Sequence, residues 1–437
     1  MLENNNIPPR SSVKQELTGG LVTFMTMAYI IFVQPAVLSQ AGMNFGAVTF
    51  ATCISAAIAT AIMGLYANLP VAQAPGMGEN FFFVFTVVLV MGLSWQQALG
   101  AVFVAGVIFL LLSIFKVRKY IVDAIPTSMK HAVAAGIGIF IAFIGLADCG
   151  IVVKNPGALV QLGNLHSPVA LLALFGLFLT IILIVRKVPG AILWGIITTT
   201  AVGLIFGMIE YYGILSAPPS PAPTFLKLSF KGFLSAKFLT VVFIFLYMDM
   251  FDTVGTLLAV ADAGDLLTPS GKLPRANRAL ISDAVGTVVG SLFGTSTVTS
   301  FIESTAGIAS GAKRGLSSVF VSGLFILSLF FYPIIKMIGA GIEVDGAYLH
   351  PVTAPALIIV GAMMTKALAK IEWGKLWIAI PAFITLIGIP LTYSIADGFA
   401  LGFVAYPISA LAAGKAKQIS PVVWIIAALF VIRYALF

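Results

Sequence analysis

The chain has 437 residues, of which 60% are hydrophobic and only 9% charged, with a formal net charge of +8. Soluble domains carry roughly 25% charged residues, so this composition excludes a soluble globular fold and predicts a chain that crosses a membrane many times. The basic excess lies in loops, where it reports orientation and not nucleic-acid binding. Two cysteines in apolar runs, Cys53 and Cys149, and three scattered histidines, His131, His166 and His350, offer no disulfide framework, metal-ligand motif or cofactor signature.

The first 17 residues are polar and include Pro8 and Pro9, and the apolar run after them continues as a full span, so no cleavable signal peptide is expected. Apolar runs cover about 18–38, 47–67, 81–92, 97–115, 130–147, 168–185 and 190–211. A Pro-rich loop, SAPPSPAPTF at 216–225, separates them from runs at about 238–260, 279–294, 302–311, 315–338, 353–370, 375–391, 395–412 and 419–436. Most approach the ~20 residues that cross ~30 Å of hydrocarbon. The runs after Glu79 and after Phe301 are too short, and each follows a polar or Gly/Pro stretch, so each is expected to be a half-helix. Two interrupted segments, one in each half of the chain, are the sequence mark of a secondary carrier's binding site.

Lys116, Arg118, Lys119 and Lys130 follow the fourth span, and Arg186 and Lys187 the sixth. Lys272, Arg275 and Arg278 follow the eighth, Lys313 and Arg314 the tenth, and Lys366, Lys370 and Lys375 the twelfth. Every even loop is basic, which predicts a cytoplasmic N-terminus; Lys227 and Lys231, in a long outer linker, are the exception. A faint repeat relates 36–43, AVLSQAGM, to 259–265, AVADAGD, and nearly the same offset lays Asn80 on Glu303. Seven spans separate the copies, and an odd number inverts the second copy in the membrane. The runs exceed two sevens by one; the surplus is expected within 375–436, with 419–436 as a surface or interface helix.

Three polar clusters lie at membrane depth. In LYMDMFDTVGTLL, Asp249, Asp252, Thr253 and Thr256 share one helical face. Lipid would reject that face, so it looks into protein or water; Asp252 is the favoured functional residue, and a structural ion pair or cap is the alternative. In GTSTVTSFIEST, Glu303 and Ser304 stand where an extended stretch becomes a half-helix, whose N-terminus presents free N–H groups. Glu303 could accept N–H bonds from a planar heterocycle, or cap its own helix. In GMGENFFF, Gly76 and Gly78 permit close backbone approach, and Phe81 to Phe83 offer a ring for stacking or plain packing. Glu79 could face the site, pair with a lysine or carry a proton. Thr26 and Tyr29 in the first span, with Asn80, would mirror the acidic cluster, although the Thr26 hydroxyl could instead bond its own backbone. Asp283, Asp148, Glu210 and Asp397 lie near span ends and are expected to be caps or interfacial groups, with Lys366 and Lys370 snorkelling.

At TFMTMAYI (23–30), APGMGENFFF (74–83), MDMFDTVGTL (248–257), GTSTVTSFIEST (294–305) and PLTYSIADGFALGF (390–403) the chain resembles the AzgA-like purine permeases of the nucleobase–cation symporter-2 superfamily. The family pattern usually has an apolar residue where this chain has Glu79. The resemblance implies an all-α polytopic fold of seven plus seven inverted repeats. Its core domain would comprise 1–116 and 237–345 and its gate domain 117–236 and 346–437. Two short antiparallel strands in spans 3 and 10 would meet at the midplane. The substrate would be a purine such as hypoxanthine, guanine or adenine, taken up by proton symport. The family's acidic residue in span 8 carries over to Asp252 and its span-10 glutamate to Glu303, with backbone near Phe81 and Phe301 facing the base. Thr26, Tyr29, Asn80, Thr253 and Ser304 complete the candidate substrate site. Asp252, Glu303 and Glu79 are the candidates for proton coupling. Related folds point to a homodimer through the gate domain.

Rival readings differ in substrate, coupling ion or class. A carrier of the same fold could take uracil, xanthine or an anion, although two site carboxylates would repel anions; Na⁺ could replace the proton. Ring-forming pore motifs of a channel are absent, as are HExxH, GxSxG and other enzymatic motifs. No nucleotide-binding loop supports ATP drive.

Overall fold

Hydrocarbon offers no hydrogen bonds, so a spanning segment must satisfy its backbone internally, and apolar runs of this length fold as helices. The computed structural model describes residues 11–115, 126–264, 266–268, 273–344 and 346–436. Pro8, Pro9, Lys116, Arg118, Lys119, Asp265 and Lys272, which the sequence reading used, lie outside the described residues. Among the described residues, eight helices are long and apolar enough to cross a bilayer, and shorter apolar helices accompany them.

The first span is α1 (Val13–Met27) followed by α2 (Ile30–Ser39). Ser12 and Gln15 open α1 with a reciprocal capping box. The span is interrupted at Ala28 and Tyr29, nearly two turns before Pro35, which lacks the N–H that would bond Ile31 O in a continuous helix. After α3 (Phe45–Ile62), the third span begins as a strand, β1 (Gln73–Pro75). It continues as α4 (Met77–Phe81), prolonged by wider turns to Val90. Then follow α5 (Trp95–Ile114), α6 (Thr127–Asp148), the hairpin β2 (Val152–Asn155) and β3 (Leu159–Leu162), α7 (Pro168–Val185) and α8 (Ala191–Ile205).

The second half opens with α9 (Ala236–Ala263) and α10 (Ala276–Phe293). Its broken span is β4 (Val298–Ser300) and α11 (Ser304–Ala309). Next come α12 (Gly315–Ser328), α13 (Tyr332–Gly339), the hairpin β5 (Ile342–Val344) and β6 (Ala347–Leu349), and α14 (Ala354–Met364). The chain ends with α15 (Leu376–Leu391), α16 (Ile395–Ala412) and α17 (Pro421–Leu436). The expected spans are present, with three refinements: the break beside Tyr29, the two surface hairpins, and the end of the seventh helix at Ile205.

Strands β1 and β4 pair antiparallel, with Gln73 opposite Ser300, Ala74 opposite Thr299 and Pro75 opposite Val298. Each strand leads into its own helix, so α4 and α11 leave the pair in opposite directions. That is the local signature of an inverted repeat. Helices α2, α3, α9 and α10 pack on the strand pair, with α5 against α9 and α10 and α12 against α1 and α3, while α6 packs on α14, α15 and α16, α15 packs on α16, and α17 lies against α16.

Candidate substrate site at the broken spans

Non-helical backbone at membrane depth survives only when protein groups satisfy it. Here the two broken spans satisfy each other. The Phe301 N–H donates to Ala72 O at 3.0 Å, and the Gly76 N–H to Thr297 O at 3.0 Å. Ser304 Oγ accepts from the Ala72 N–H at 3.0 Å, and Thr60 Oγ1 both accepts from and donates to the Gln73 backbone at 2.9 Å. Ser304 is therefore a cross-span cap, fully buried.

Glu303 is half-buried and sits at the start of α11, yet its side chain makes no capping bond there. It accepts instead from the Tyr29 hydroxyl at 2.8 Å. The break in the first span thus places Tyr29, itself 2% exposed, against the second broken span. The Phe301 ring lies 6.5 Å from the Tyr29 ring. The Thr26 hydroxyl bonds its own helix at Val22 O and Thr23 O, and reaches Glu303 O at 3.5 Å. Close packing of α1 on α11 depends on Gly307, where any Cβ would collide with the Gly19 backbone and the Thr23 hydroxyl.

The polar face of α9 is divided between two surroundings. Asp249 and Thr253 point into protein and are 0% exposed, whereas Asp252 is exposed and faces the Thr299 hydroxyl. Exposure continues along one stripe from Asp252 through Gly255, Ala259 and Asp262, and a Cβ at Gly255 would meet nothing within 4 Å. In the opposite direction Phe245 and Ile244 are buried. An open path therefore reaches Asp252 from the side on which α9 ends.

On the other broken span, Glu79, Asn80 and Phe81 are all buried. Phe81 stacks on Phe85, with centroids 5.6 Å apart, and Tyr393 packs edge-on against Phe85, Phe140 and Phe143. This aromatic block fills the region beyond α4. Asn80 Oδ1 accepts from Ser296 Oγ, while its Nδ2 has no protein partner. The Glu79 carboxylate folds over Gly76, where a methyl group would strike it. No ion pair of Glu79 is found among the described residues.

One expectation fails. Asp283 is neither a cap nor interfacial: it is 0% exposed in the middle of α10 and accepts from Thr253 Oγ1 at 2.7 Å and Gln73 Nε2 at 2.9 Å. Its place in the apolar run SDAVGTVV, a full turn inside the helix start, was the available signal. Asp148 does sit at a helix end beside His350, at 3.9 Å, and exposed Glu210 accepts from Tyr212. Thr253 turns away from the open path toward Asp283.

Paired broken spans, an inverted arrangement and buried carboxylates beside a one-sided path define a multi-pass membrane transporter of the seven-plus-seven inverted-repeat class. The fold is similar to the transmembrane domain of a cyanobacterium bicarbonate transporter, BicA. The TM-score is 0.63 at 16% identity, covering 89% of this chain and 97% of that one. The chain belongs to the family described as "Permease family", which it matches over residues 14–431, and the AzgA-like resemblance holds within it. It is 44% identical to the guanine/hypoxanthine permease PbuG of Bacillus subtilis (strain 168) over 436 residues, 97% of each chain. It is 41% identical to the adenine permease AdeP of Escherichia coli (strain K12), over 97% of this chain and 93% of that one.

Proposed function

We propose that the chain takes up purine nucleobases by proton symport with alternating access. The observation that carries this reading is the pair of carboxylates, Glu303 and Asp252, set beside the paired broken spans at the end of an open path. A neutral heterocycle with an N–H edge suits two acceptors, while an anion would be repelled by them. The unpartnered Asn80 Nδ2 supplies a donor for a ring nitrogen or carbonyl oxygen. Relatives named as guanine/hypoxanthine and adenine permeases support the substrate class.

With the N-terminus in the cytoplasm, the open path from Asp252 to Asp262 leads inward, so this conformation faces the cytoplasm. Residues 1–116 and 237–345 would form the core domain that carries the site, moving against a gate of 117–236 and 346–437. A homodimer through that gate would hold it still while the core moves.

The test is uptake of labelled hypoxanthine, guanine, adenine and uracil in cells lacking their own purine carriers, with and without a protonophore. Purine uptake that collapses with the protonophore supports the reading. Glu303→Gln should abolish tight binding, and normal uptake in that variant would remove Glu303 from the site. Uptake that follows sodium instead, or that prefers uracil, would transfer the same geometry to the rival carriers.

A further inference from the structure

Beside the substrate site, Asp249 and Asp283 face each other across α9 and α10. Both are 0% exposed. The donors around them can be counted. Asp283 Oδ1 accepts from Thr253 Oγ1 at 2.7 Å and Gln73 Nε2 at 2.9 Å; Asp249 Oδ2 accepts from Thr287 Oγ1 at 3.1 Å. Asp249 Oδ1 and Asp283 Oδ2 have no other donor, and the two carboxyls are close enough to hydrogen-bond to each other once one carries a proton. No cation is ion-paired to either residue among the described residues. The titratable groups that face the pair are Glu79 from α4 and Asp252 from α9, both acidic. β1, β4 and α10 present the neutral Gln73, Ser300 and Thr287.

Two facing carboxylates in a dry interior cannot both be charged, and one proton between them supplies the donor that the orphan oxygens lack. The pair is also wired to the substrate site. Thr253 Oγ1 accepts from the Ser300 N–H at 3.4 Å while donating to Asp283. Thr287 Oγ1 accepts from the Val298 N–H at 3.0 Å and lies 3.1 Å from Asp249 Oδ2. Two hydroxyls thus connect the pair to the backbone of β4, the strand that runs directly into Phe301 and Glu303.

We propose that Asp249 and Asp283 together form the proton-binding site of the carrier, separate from the purine-binding carboxylates, with β4 transmitting their charge to Glu303. This rests on the proton-symport reading and assigns its proton to a place. When the pair holds its proton it carries one shared negative charge, satisfied by the Thr253 and Thr287 hydroxyls and the Gln73 amide; when it loses the proton, two like charges repel and pull on Thr253 and Thr287. The strand that presents Glu303 is then held differently in the two states, which couples purine release to proton release.

The test uses purified Asp249→Asn and Asp283→Asn proteins, reconstituted in liposomes beside the wild type. Three readouts are taken with a labelled purine: equilibrium binding, exchange across the membrane, and accumulation driven by an imposed pH gradient. The proposal expects both variants to bind and exchange purine while failing to concentrate it. Concentration equal to the wild type in either variant overturns it, as does loss of binding like that expected of Glu303→Gln. Should the Asn variants fail to fold, Thr253→Val removes one donor from Asp283 and leaves the chain's volume intact. A carboxylate deprived of a donor holds its proton more tightly, so the pH profile of uptake should move to higher pH; an unmoved profile overturns the assignment. Wild-type protein that ignores the gradient removes the symport reading itself, a different failure from a variant that behaves as wild type.

Discussion

The Tyr29 hydroxyl donates to Glu303 Oε1 across 2.8 Å, joining the interruption of the first span to the start of the second broken span. A hydrogen bond to a charged group contributes about 1.5–3 kcal/mol. Tyr29→Phe deletes this bond and retains the ring that packs near Phe301. The expected outcome is a protein that still folds but loses about 1.5–3 kcal/mol of stability, and whose purine affinity falls by about 10- to 100-fold. Isothermal titration of the purified variant checks this, and unchanged affinity would show that Tyr29 does not orient Glu303 for binding.

How much of this was legible in the sequence can be judged residue by residue. The broken spans were visible because Gly, Pro, Ser and Thr interrupt apolar runs, and their strand pairing followed the family resemblance. Tyr29 was visible as a polar residue in the first span, but its partner was not, because a bond between residues 274 apart leaves no local pattern. The face of α9 was legible as a 3.6-residue period, but not its division. Asp252 looks along an open path and Asp249 into α10 because the neighbouring helix covers one side of the stripe. Asp283 was misread because distance from a helix end, judged from sequence with boundaries good to about 2–4 residues, cannot separate an interfacial carboxylate from a buried one.

Gly255 offers a direct probe of the open path. Its missing side chain faces space with no atom within 4 Å, and the two native cysteines, Cys53 and Cys149, are buried. Gly255→Cys should fold normally, since replacing Gly in a helix interior favours the helix by about 0.5–1 kcal/mol. A membrane-impermeant thiol reagent should label it from the cytoplasmic side, and bound purine should slow the labelling. Labelling from the outside alone would reverse the orientation given to the chain.

His350 ties the end of α6 to the start of α14. Its backbone N–H donates to Asp148 O at 2.7 Å, and its ring Nδ1 is 3.9 Å from Asp148 Oδ2 with no hydrogen-bond partner. Burial pushes the imidazole down from 6.5 to about 4 despite that neighbour. A histidine whose folded value is depressed favours the folded state fully above its unfolded value and loses that contribution as pH falls toward the folded one. The contribution of His350 to the melting temperature in detergent, read as the difference between wild type and His350→Gln, should therefore drop as pH is lowered from about 6.5 toward about 4. A difference that stays constant over that range would show that His350 makes no such contribution.

Gln73 binds the strand pair to the acid pair. Its Nε2 donates to Asp283 Oδ1 at 2.9 Å and to Ser300 Oγ at 3.1 Å, and its Oε1 accepts from Ser282 Oγ at 2.8 Å. The residue is 0% exposed, so nothing from solvent would replace these bonds. Each buried polar group left without a partner costs about 1–3 kcal/mol, and Gln73→Leu strips a bond from Asp283 and from Ser282 at once. The expected loss is about 2–5 kcal/mol, read as an earlier midpoint in denaturant unfolding. Gln73→Glu keeps the shape but sets a third carboxylate against Asp283, so it should be the less stable of the two at neutral pH and recover as the medium is acidified. If Gln73→Leu unfolded at the wild-type midpoint, these bonds would not be holding β1 to α10, and the link from Asp283 to the strands would have to run through Thr253 alone.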